Sequence, residues 1–517
     1  MTAPRTTTSK SQRWTLIATI VASAMTFIDG TVVNVALPAL QANLQATITD
    51  VQWVVEAYTL FLSALILVGG AMGDQFGRKR VFLFGVVSFT AASIFCGLAP
   101  SPRVLIIARA LQGIGAGFLV PGSLSIISAT FSDADRGRAI GTWSGFSAVT
   151  TALGPVVGGW LIENVSWRAA FFLNVPLAVI VVALSLRFMD ESRDPSRTER
   201  IDWLGAVLGI VGLGGLVFGL LEWAPLGPGH PLVTGSLALG AVCLVLLVVV
   251  ERRARNPMMP LDLFRSRTFT LANVLTLLLY GALGIVLFLL PLELIQVQHY
   301  SATEAGAALV PFAVIMFALS RWAGGLVARV GPRLPLTVGA AIAAVGIALF
   351  ARVATGGSYW SSIFPAVCLL GLGMTITVAP LTTTVMGAVD TAHSGVASGI
   401  NNTVARVAGL LTIAVFGVLL ARRFEAEVKP RLDHLALPSV VRAQIDRELP
   451  KMAGVDLKSV AVANRERAIV QESIDEAFVS GFRLVVFGAA ILALAAAAFG
   501  AAIPAGKAKG QVARASP

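Results

Sequence analysis

Charge is scarce in this chain of 517 residues: only 13% are Asp, Glu, Lys or Arg, against about a quarter in a soluble protein. Histidine is limited to His230, His299, His393 and His434, too scattered to suggest a metal cluster. The three cysteines, Cys96, Cys243 and Cys368, form no CxxC spacing and sit in or at the edge of apolar runs. Neither a disulfide framework nor a zinc site is indicated. No GxxxxGK followed by Ser or Thr occurs, so the phosphate cradle of an ATP-driven pump is missing. No nucleophile–base set stands out, and the chain is not read as an enzyme. Nothing here calls for a cofactor or a metal.

Apolar residues are plentiful, at 56% of the chain with a mean hydropathy of +0.81. They gather into runs of about 20, the length at which a helix spans a bilayer. Lipid offers no partner to open backbone groups, so such runs are helices. They fall at roughly 14–38, 51–73, 81–99, 103–128, 138–162, 169–189, 203–222, 232–250, 268–294, 303–322, 333–353, 361–387, 395–420 and 479–504. The expected fold class is all-α: a polytopic membrane protein with about fourteen transmembrane helices. Residues 1–13 form a Thr, Ser and basic tail. The next run is too long for a signal-peptide core and carries Asp29, so it reads as a retained first span.

Net charge is +11, which in a soluble protein would suggest nucleic acid. Here the placement of the charge argues otherwise. Basic breaks occur at Arg78 to Arg80, Arg136 with Arg138, Arg187 to Arg200, Arg252 to Arg267, and Arg329 with Arg333, and the tail adds Lys507 and Lys509. All share the side of the N-terminus, which the positive-inside rule makes cytoplasmic. An even number of spans puts both termini there, in a bacterial cytoplasmic membrane, and no nucleic-acid partner is expected. The long opposite segment 421–477 carries close to ten basic and ten acidic residues. Long outer loops escape the rule. Val440–Lys451 and Leu457–Phe478 look helical, which suggests a small cap outside the membrane.

An internal repeat is visible. Gly70-x-x-x-Asp74-x-x-Gly77-Arg78-Lys79 recurs as Gly324-x-x-x-Ala328-x-x-Gly331-Pro332-Arg333, with the acid lost. Such repeats are typical of secondary transporters. The expected organisation is a six-helix half at 1–190, two extra spans at 191–267, and a second six-helix half at 268–517 that contains segment 421–477. In the first copy, Gly73 and Gly77 suit a tight turn. Asp74 can face a helix N-terminus, where negative charge is favoured by roughly 0.3–1 kcal/mol. Arg78 and Lys79 hold the loop at the membrane face.

This loop resembles the signature loop of the major facilitator superfamily. Other stretches resemble its fourteen-span drug:proton antiporters of the EmrB/QacA type. They are Ile28-Asp29-Gly30-Thr31-Val32-Val33-Asn34-Val35-Ala36-Leu37-Pro38, then Arg109-Ala110-Leu111-Gln112-Gly113-Ile114-Gly115-Ala116-Gly117, then Gly154-Pro155-Val156-Val157-Gly158-Gly159. Trp167-Arg168 with Phe172-Leu173-Asn174-Val175-Pro176 is similar too. The resemblance reaches about residue 420. It implies a major facilitator fold, alternating access, a proton and a small organic substrate as partners besides membrane lipid, and export of drug-like compounds. It leaves a periplasmic adaptor open; without one the expectation is a monomer.

Asp29 lies at bilayer depth, where a charged carboxylate costs roughly 2.5 kcal/mol or more. It must be protonated, paired or in a wet cavity, and the resemblance implies proton or cation binding there. Arg109, the deep charge of the fourth span, is its natural partner; in the family this arginine is linked to proton transfer. Gln112 lies at i+3 on the same face. Asn34, about 140° round the helix from Asp29, is assigned first to helix contacts. Glu56 stands between Trp53 and Tyr58, whose rings suggest the aromatic belt. It is either a site near the outer mouth or a solvated interfacial acid, and Glu293 after Pro291 is similar. Glu163 and Glu222 are expected to be solvated.

Gly154, Pro155, Gly158 and Gly159 read as a packing hinge between the halves. In Ser398–Arg406, Asn401 and Asn402 are candidates to line a cavity or bind across helices. Arg406 is either cavity-lining or snorkels near the cytoplasmic end. Some multidrug members of the family carry acids deep in the tenth and thirteenth spans, and this chain has none deep in either. That departure puts dication transport in doubt and concentrates the proton chemistry on Asp29 and Glu56. A metabolite or lipid exporter, or a membrane receptor using 421–477, are the competing expectations.

Overall fold

The computed structural model describes residues 9–193, 202–254, 257, 259–353, 356–390, 394–435, 437–457, 460 and 464–505. Parts of the basic breaks at 194–201 and 255–258, as well as His393, Lys507 and Lys509, lie outside the described residues. No strand occurs among those described.

The chain runs through α1 (Ser9–Leu44), α2 (Ile48–Phe76), α3 (Arg78–Leu98), α4 (Pro102–Thr130) and α5 (Asp133–Asn164). The short helix Trp167–Phe172 leads into α6 (Asn174–Phe188), followed by α7 (Trp203–Leu221) and α8 (Pro231–Arg253). Then come α9 (Arg267–Leu292), the short helix Ala302–Ala308, α10 (Val310–Gly324), α11 (Arg333–Leu349), α12 (Phe364–Gly387), α13 (Ser394–Asp433) and α14 (Asn464–Ala502). Among the described residues, thirteen helical segments are long and apolar enough to cross a membrane, and α5, at 32 residues, is also of spanning length.

Within the helices, hydroxyl side chains donate back to carbonyls one turn earlier, as Thr90 does to Val86, Thr375 to Gly371 and Thr377 to Gly373. Polar groups satisfied this way can sit at membrane depth without a partner helix. Helix starts are set locally. Thr47 and Asp50 form a capping box at α2, and Ser301 and Glu304 form one at Ala302–Ala308. Glu304 is thus a capping acid at a helix end.

Small residues bring the helices together. Gly113 and Gly117, one turn apart on α4, lie where a Cβ would press on Tyr58 and Leu65 of α2, the small-xxx-small packing of membrane helices. The two copies of the repeat also share a backbone feature. Gly77 closes α2 with φ 114°, and Gly331 precedes α11 with φ 73°. Both conformations favour glycine. Gly73, by contrast, is an ordinary helical residue, so the turn rests on Gly77 alone.

The extra helices α7 and α8 pack on each other, and α7 also leans on α2 and α13 through Leu60, Val217, Leu221, Leu410 and Ala414. Apolar side chains such as Phe84, Phe95, Leu239, Val245, Ile491 and Leu494 remain exposed on outward faces, where lipid is their solvent. Ser11 and Gln12 of α1 reach Phe188 and Thr130, and Gly500 of α14 sits beside Leu336 of α11. The start of α1 and the end of α14 therefore mark one face, the termini face.

The opposite, cap face differs from expectation. α13 is 40 residues long, a rise of about 60 Å against the ~30 Å of a hydrocarbon core. It carries on through Ala421 to Asp433, and α14 begins at Asn464 and enters the membrane without a break. Of Leu457–Phe478, the stretch 464–478 is helical as the first part of α14, and 458–459 and 461–463 lie outside the described residues. The cap is built by these two projecting helices with Ser439–Glu448 and the 3-10 turn Leu449–Gly454 between them. Val428, Leu432, Ile445, Val470 and Ile474 form its buried core, and Arg431 pairs with Glu476 across the two long helices.

Candidate functional site

The deepest polar cluster joins α1, α3, α4 and α6. Asp29 and Arg109 are both 1% exposed. Arg109 Nη1 donates to Asp29 Oδ2 at 2.6 Å and to Gln112 Oε1 at 2.6 Å. Gln112 Nε2 donates to Asp29 Oδ1 at 2.8 Å and to Ser93 Oγ at 3.3 Å. Both oxygens of the carboxylate are therefore engaged, one by the cation and one by an amide. Asn174 Nδ2 donates to Ser93 Oγ at 3.0 Å, and that hydroxyl donates to the Phe171 carbonyl at 2.8 Å. Arg109 Nε donates to the Val54 carbonyl at 3.0 Å, and its guanidinium lies 4.2 Å over the Tyr58 ring. The arginine thus links α4 to α1 through a titratable group, and to α2 through groups that hold whatever the proton state of Asp29.

Ser93, Asn174 and Tyr58 escaped the sequence reading as members of this cluster. A lone Ser or Asn in an apolar run carries no signal of which partner it meets across helices. Asn34, on α1, makes no hydrogen bond among the described residues.

Glu56 is neither solvated nor interfacial. It is fully buried, and neither carboxylate oxygen finds a hydrogen-bond partner among the described residues. Gln52, one turn before it on α2, abuts Gly417 of α13, and Leu60, one turn after, meets Leu410 and Ala414 of α13. Glu56 therefore lies on the face that α2 turns to the second half of the chain. Trp53 does not mark a free aromatic belt: its Nε1 donates to Glu222 Oε1 at 3.2 Å. Glu163 also has a partner, its Oε2 accepting from Thr303 N at 3.2 Å. Glu293 is fully buried at the cap-side end of α9.

On α13, Asn401 donates to Asn273 Oδ1 at 3.1 Å and Thr276 Oγ1 at 2.7 Å of α9, so it binds across helices. Asn402 is exposed and accepts from Arg406 Nε at 3.2 Å. Arg406 stands 12 residues along α13 from Ser394, a rise of about 18 Å, within electrostatic reach of Tyr58.

The glycines of α5 face two ways. Gly154 and Gly158 leave room for Thr31 and Val32 of α1, whereas Gly159 and the Pro155 carbonyl abut Ala302 and Gly306 of the short helix Ala302–Ala308. This part of α5 is one contact between the first and second halves of the chain on the cap side. At the termini face, Arg78 pairs with Asp74 at 2.8 Å. The anion at the start of α3 is Glu191, not Asp74: its oxygens accept from Lys79 N at 3.0 Å and Arg80 N at 3.2 Å. Lys79 Nζ donates to the Met189 carbonyl at 2.7 Å, and Arg78 N to the Ser192 carbonyl at 2.9 Å. The loop between α2 and α3, with Gly70 in the last turns of α2, is thereby fastened to the segment after α6. Glu191 was missed because nothing in the sequence pairs it with a loop 112 positions away.

Residues 19–413 match the Major Facilitator Superfamily. The chain belongs to this superfamily. Multidrug resistance protein Stp of Mycobacterium tuberculosis (strain CDC 1551 / Oshkosh) is 34% identical over 85% of this chain and 82% of its own length. The tetracenomycin C resistance and export protein of Streptomyces glaucescens is 31% identical over 94% of this chain and 90% of its own length. A solved bacterial homologue of the human lysosomal transporter Spinster, inward-facing and unoccupied, has a TM-score of 0.66 at 17% identity and covers 96% of this chain and 97% of that one. At that identity the likeness shows the fold alone. As a major facilitator protein, the chain is a multi-pass membrane transporter related to multidrug and antibiotic resistance proteins.

Proposed function

We propose that this transporter exports lipophilic organic compounds, drug-like and neutral or singly cationic, in exchange for protons. The termini face is cytoplasmic, in the cytoplasmic membrane of a bacterium. The observation that carries this reading is the wholly buried Asp29, shared between Arg109 and Gln112. As a carboxylate it holds the guanidinium. A proton on Asp29 removes the charge and the reason for Arg109 Nη1 to stay. The contacts of Arg109 with Val54 and Tyr58 do not involve Asp29, so protonation weakens the hold of α4 on α1 to the single bond from Gln112 to Asp29 Oδ1 while α4 stays fastened to α2. Because α1 also lines the glycine face of α5, loosening it bears on the contact that closes the cap side. Glu56, unpartnered on the face toward α13, is stable there only as the neutral acid, and serves as a second proton carrier when the halves part.

The names of the two relatives support drug-like cargo. The fixed guanidinium of Arg406 at mid-depth, without a deep acid on α10 or α13, disfavours doubly charged cations. Dye efflux from everted vesicles under an imposed pH gradient tests the coupling. Asp29→Asn is expected to abolish proton-driven efflux, and Asp29→Glu to retain part of it. Intact proton-driven efflux in Asp29→Asn would overturn the assignment.

A further inference from the structure

Besides Asp29 and Glu56, a further buried acid lies at the cap-side end of α9. Pro291 interrupts the donor series of α9, and the chain passes into a π-helical turn at Glu293–Val297. Such turns recur at functional sites. Glu293 is 0% exposed. Its Oε1 accepts from Gln298 Nε2 at 3.1 Å, and its Oε2 has no partner among the described residues. The π turn packs against α14, where Asp475, 7% exposed, accepts from Gln471 Nε2 at 2.9 Å. Glu293 and Asp475 lie within electrostatic range of each other.

The other charged groups nearby are engaged elsewhere or belong to the surface. Arg483 of α14 donates to the Val353 carbonyl at 3.1 Å. Lys451 of the cap turn bonds Gln45 and Glu448. Glu304 is used in its own capping box. His299, in the loop after the π turn, and Glu472 of α14 lie within electrostatic range of Asp475. Among the described residues, neither Glu293 nor Asp475 has an ion pair. Two buried carboxylates within electrostatic range of each other are costly to charge together, and a buried oxygen without a donor is costly. One proton, placed on Glu293 Oε2, removes both penalties.

The same π turn carries part of the cap-side seal. Gln296 Nε2 donates to Gln41 Oε1 of α1 at 2.7 Å, and Gln41 Nε2 donates to the Lys451 carbonyl of the cap at 2.9 Å. Three elements, α1, the π turn and the cap, meet at that chain of bonds. We infer that Glu293 and Asp475 form a further proton-binding site, apart from Asp29 and Glu56 and filled from the cap face, whose occupancy keeps the Gln41–Gln296–Lys451 seal closed. Losing the proton sets two carboxylates against each other beneath the seal and opens it. The sense suits exchange, since a proton taken up from outside closes the outer mouth behind it. The inference rests on the antiporter reading for this last step only.

The test uses the full chain in liposomes, with spin labels at Ala42 of α1 and Val440 of the cap in a background without Cys368. The distance between labels is followed as the cap-side pH is raised from about 6 to about 9, a range that spans neutral and ionised carboxyls in such sites. The wild type is expected to lengthen at high pH. Glu293→Gln and Asp475→Asn are each expected to stay short throughout, and Glu293→Asp to keep the response. Asp29→Asn should also keep it, so a failed seal and a failed Asp29 assignment are distinguishable. A pH response unchanged in both Glu293→Gln and Asp475→Asn overturns the inference. A wild type that ignores pH, or one that follows sodium at constant pH, overturns it as well.

Discussion

Arg109 Nη1 stands 2.6 Å from Asp29 Oδ2, across 80 positions of sequence and out of reach of solvent. The same guanidinium also donates from Nε to the Val54 carbonyl and covers the Tyr58 ring. Three duties on one planar group make the position intolerant of lysine, which has a single point of charge and no plane to stack. Arg109→Lys is expected to reach the membrane at near wild-type levels. One lost charge-assisted hydrogen bond is worth about 1.5–3 kcal/mol, so proton-driven efflux should fall about tenfold or more. Vesicle efflux normalised to protein level checks this.

Glu56 presents the opposite case, a buried acid with no partner. Gln resembles the neutral acid in size and charge, so Glu56→Gln should insert and fold as the wild type does. Its efflux should vary less with pH when the gradient is held constant. Glu56→Lys places a fixed cation where insertion costs about 2.5–3.5 kcal/mol, and should lower the amount of folded protein. An efflux–pH profile identical to the wild type in Glu56→Gln would remove Glu56 from the proton path.

Gly159 meets the Ala302 carbonyl without space for a side chain. Gly159→Val should hold α5 away from the helix Ala302–Ala308 and leave the cap side open more of the time. The expected signature is faster labelling of an Ala302→Cys variant by a membrane-impermeant maleimide from the cap face, together with reduced efflux. Labelling at the wild-type rate would show that this contact does not close the cap side.

If the proposed export function holds, Arg406 should repel doubly charged cargo more than singly charged cargo. At roughly 7 Å and an effective dielectric of about 20, the extra charge costs about 2 kcal/mol. Arg406→Ala should therefore raise efflux of a dicationic dye relative to a monocationic one by about an order of magnitude. The ratio of the two rates in the same vesicles measures it.

Much of this molecule was legible in residue order. Runs of about 20 apolar residues leave a chain one stable course in lipid, a series of spanning helices. The Gly77 repeat was readable because a positive φ is a local demand that glycine meets without help. Asp29, Arg109 and Gln112 stood out because charge and amide at bilayer depth are rare.

What could not be read was whom each polar group meets. Ser93 and Asn174 became part of the Asp29 cluster through the packing of α3 and α6. Glu191 became the anion at the start of α3 because α6 ends beside it. In residue order, Glu56 and Glu293 could be either sites near the outer mouth or solvated interfacial acids. The neighbours that bury them lie on α13 and α14, more than a hundred residues further on. Span length follows from the free energy of moving each segment into lipid, a sum over local residues. The burial and pairing of a single carboxyl depend on which distant helices pack over it, and only the assembled bundle specifies that.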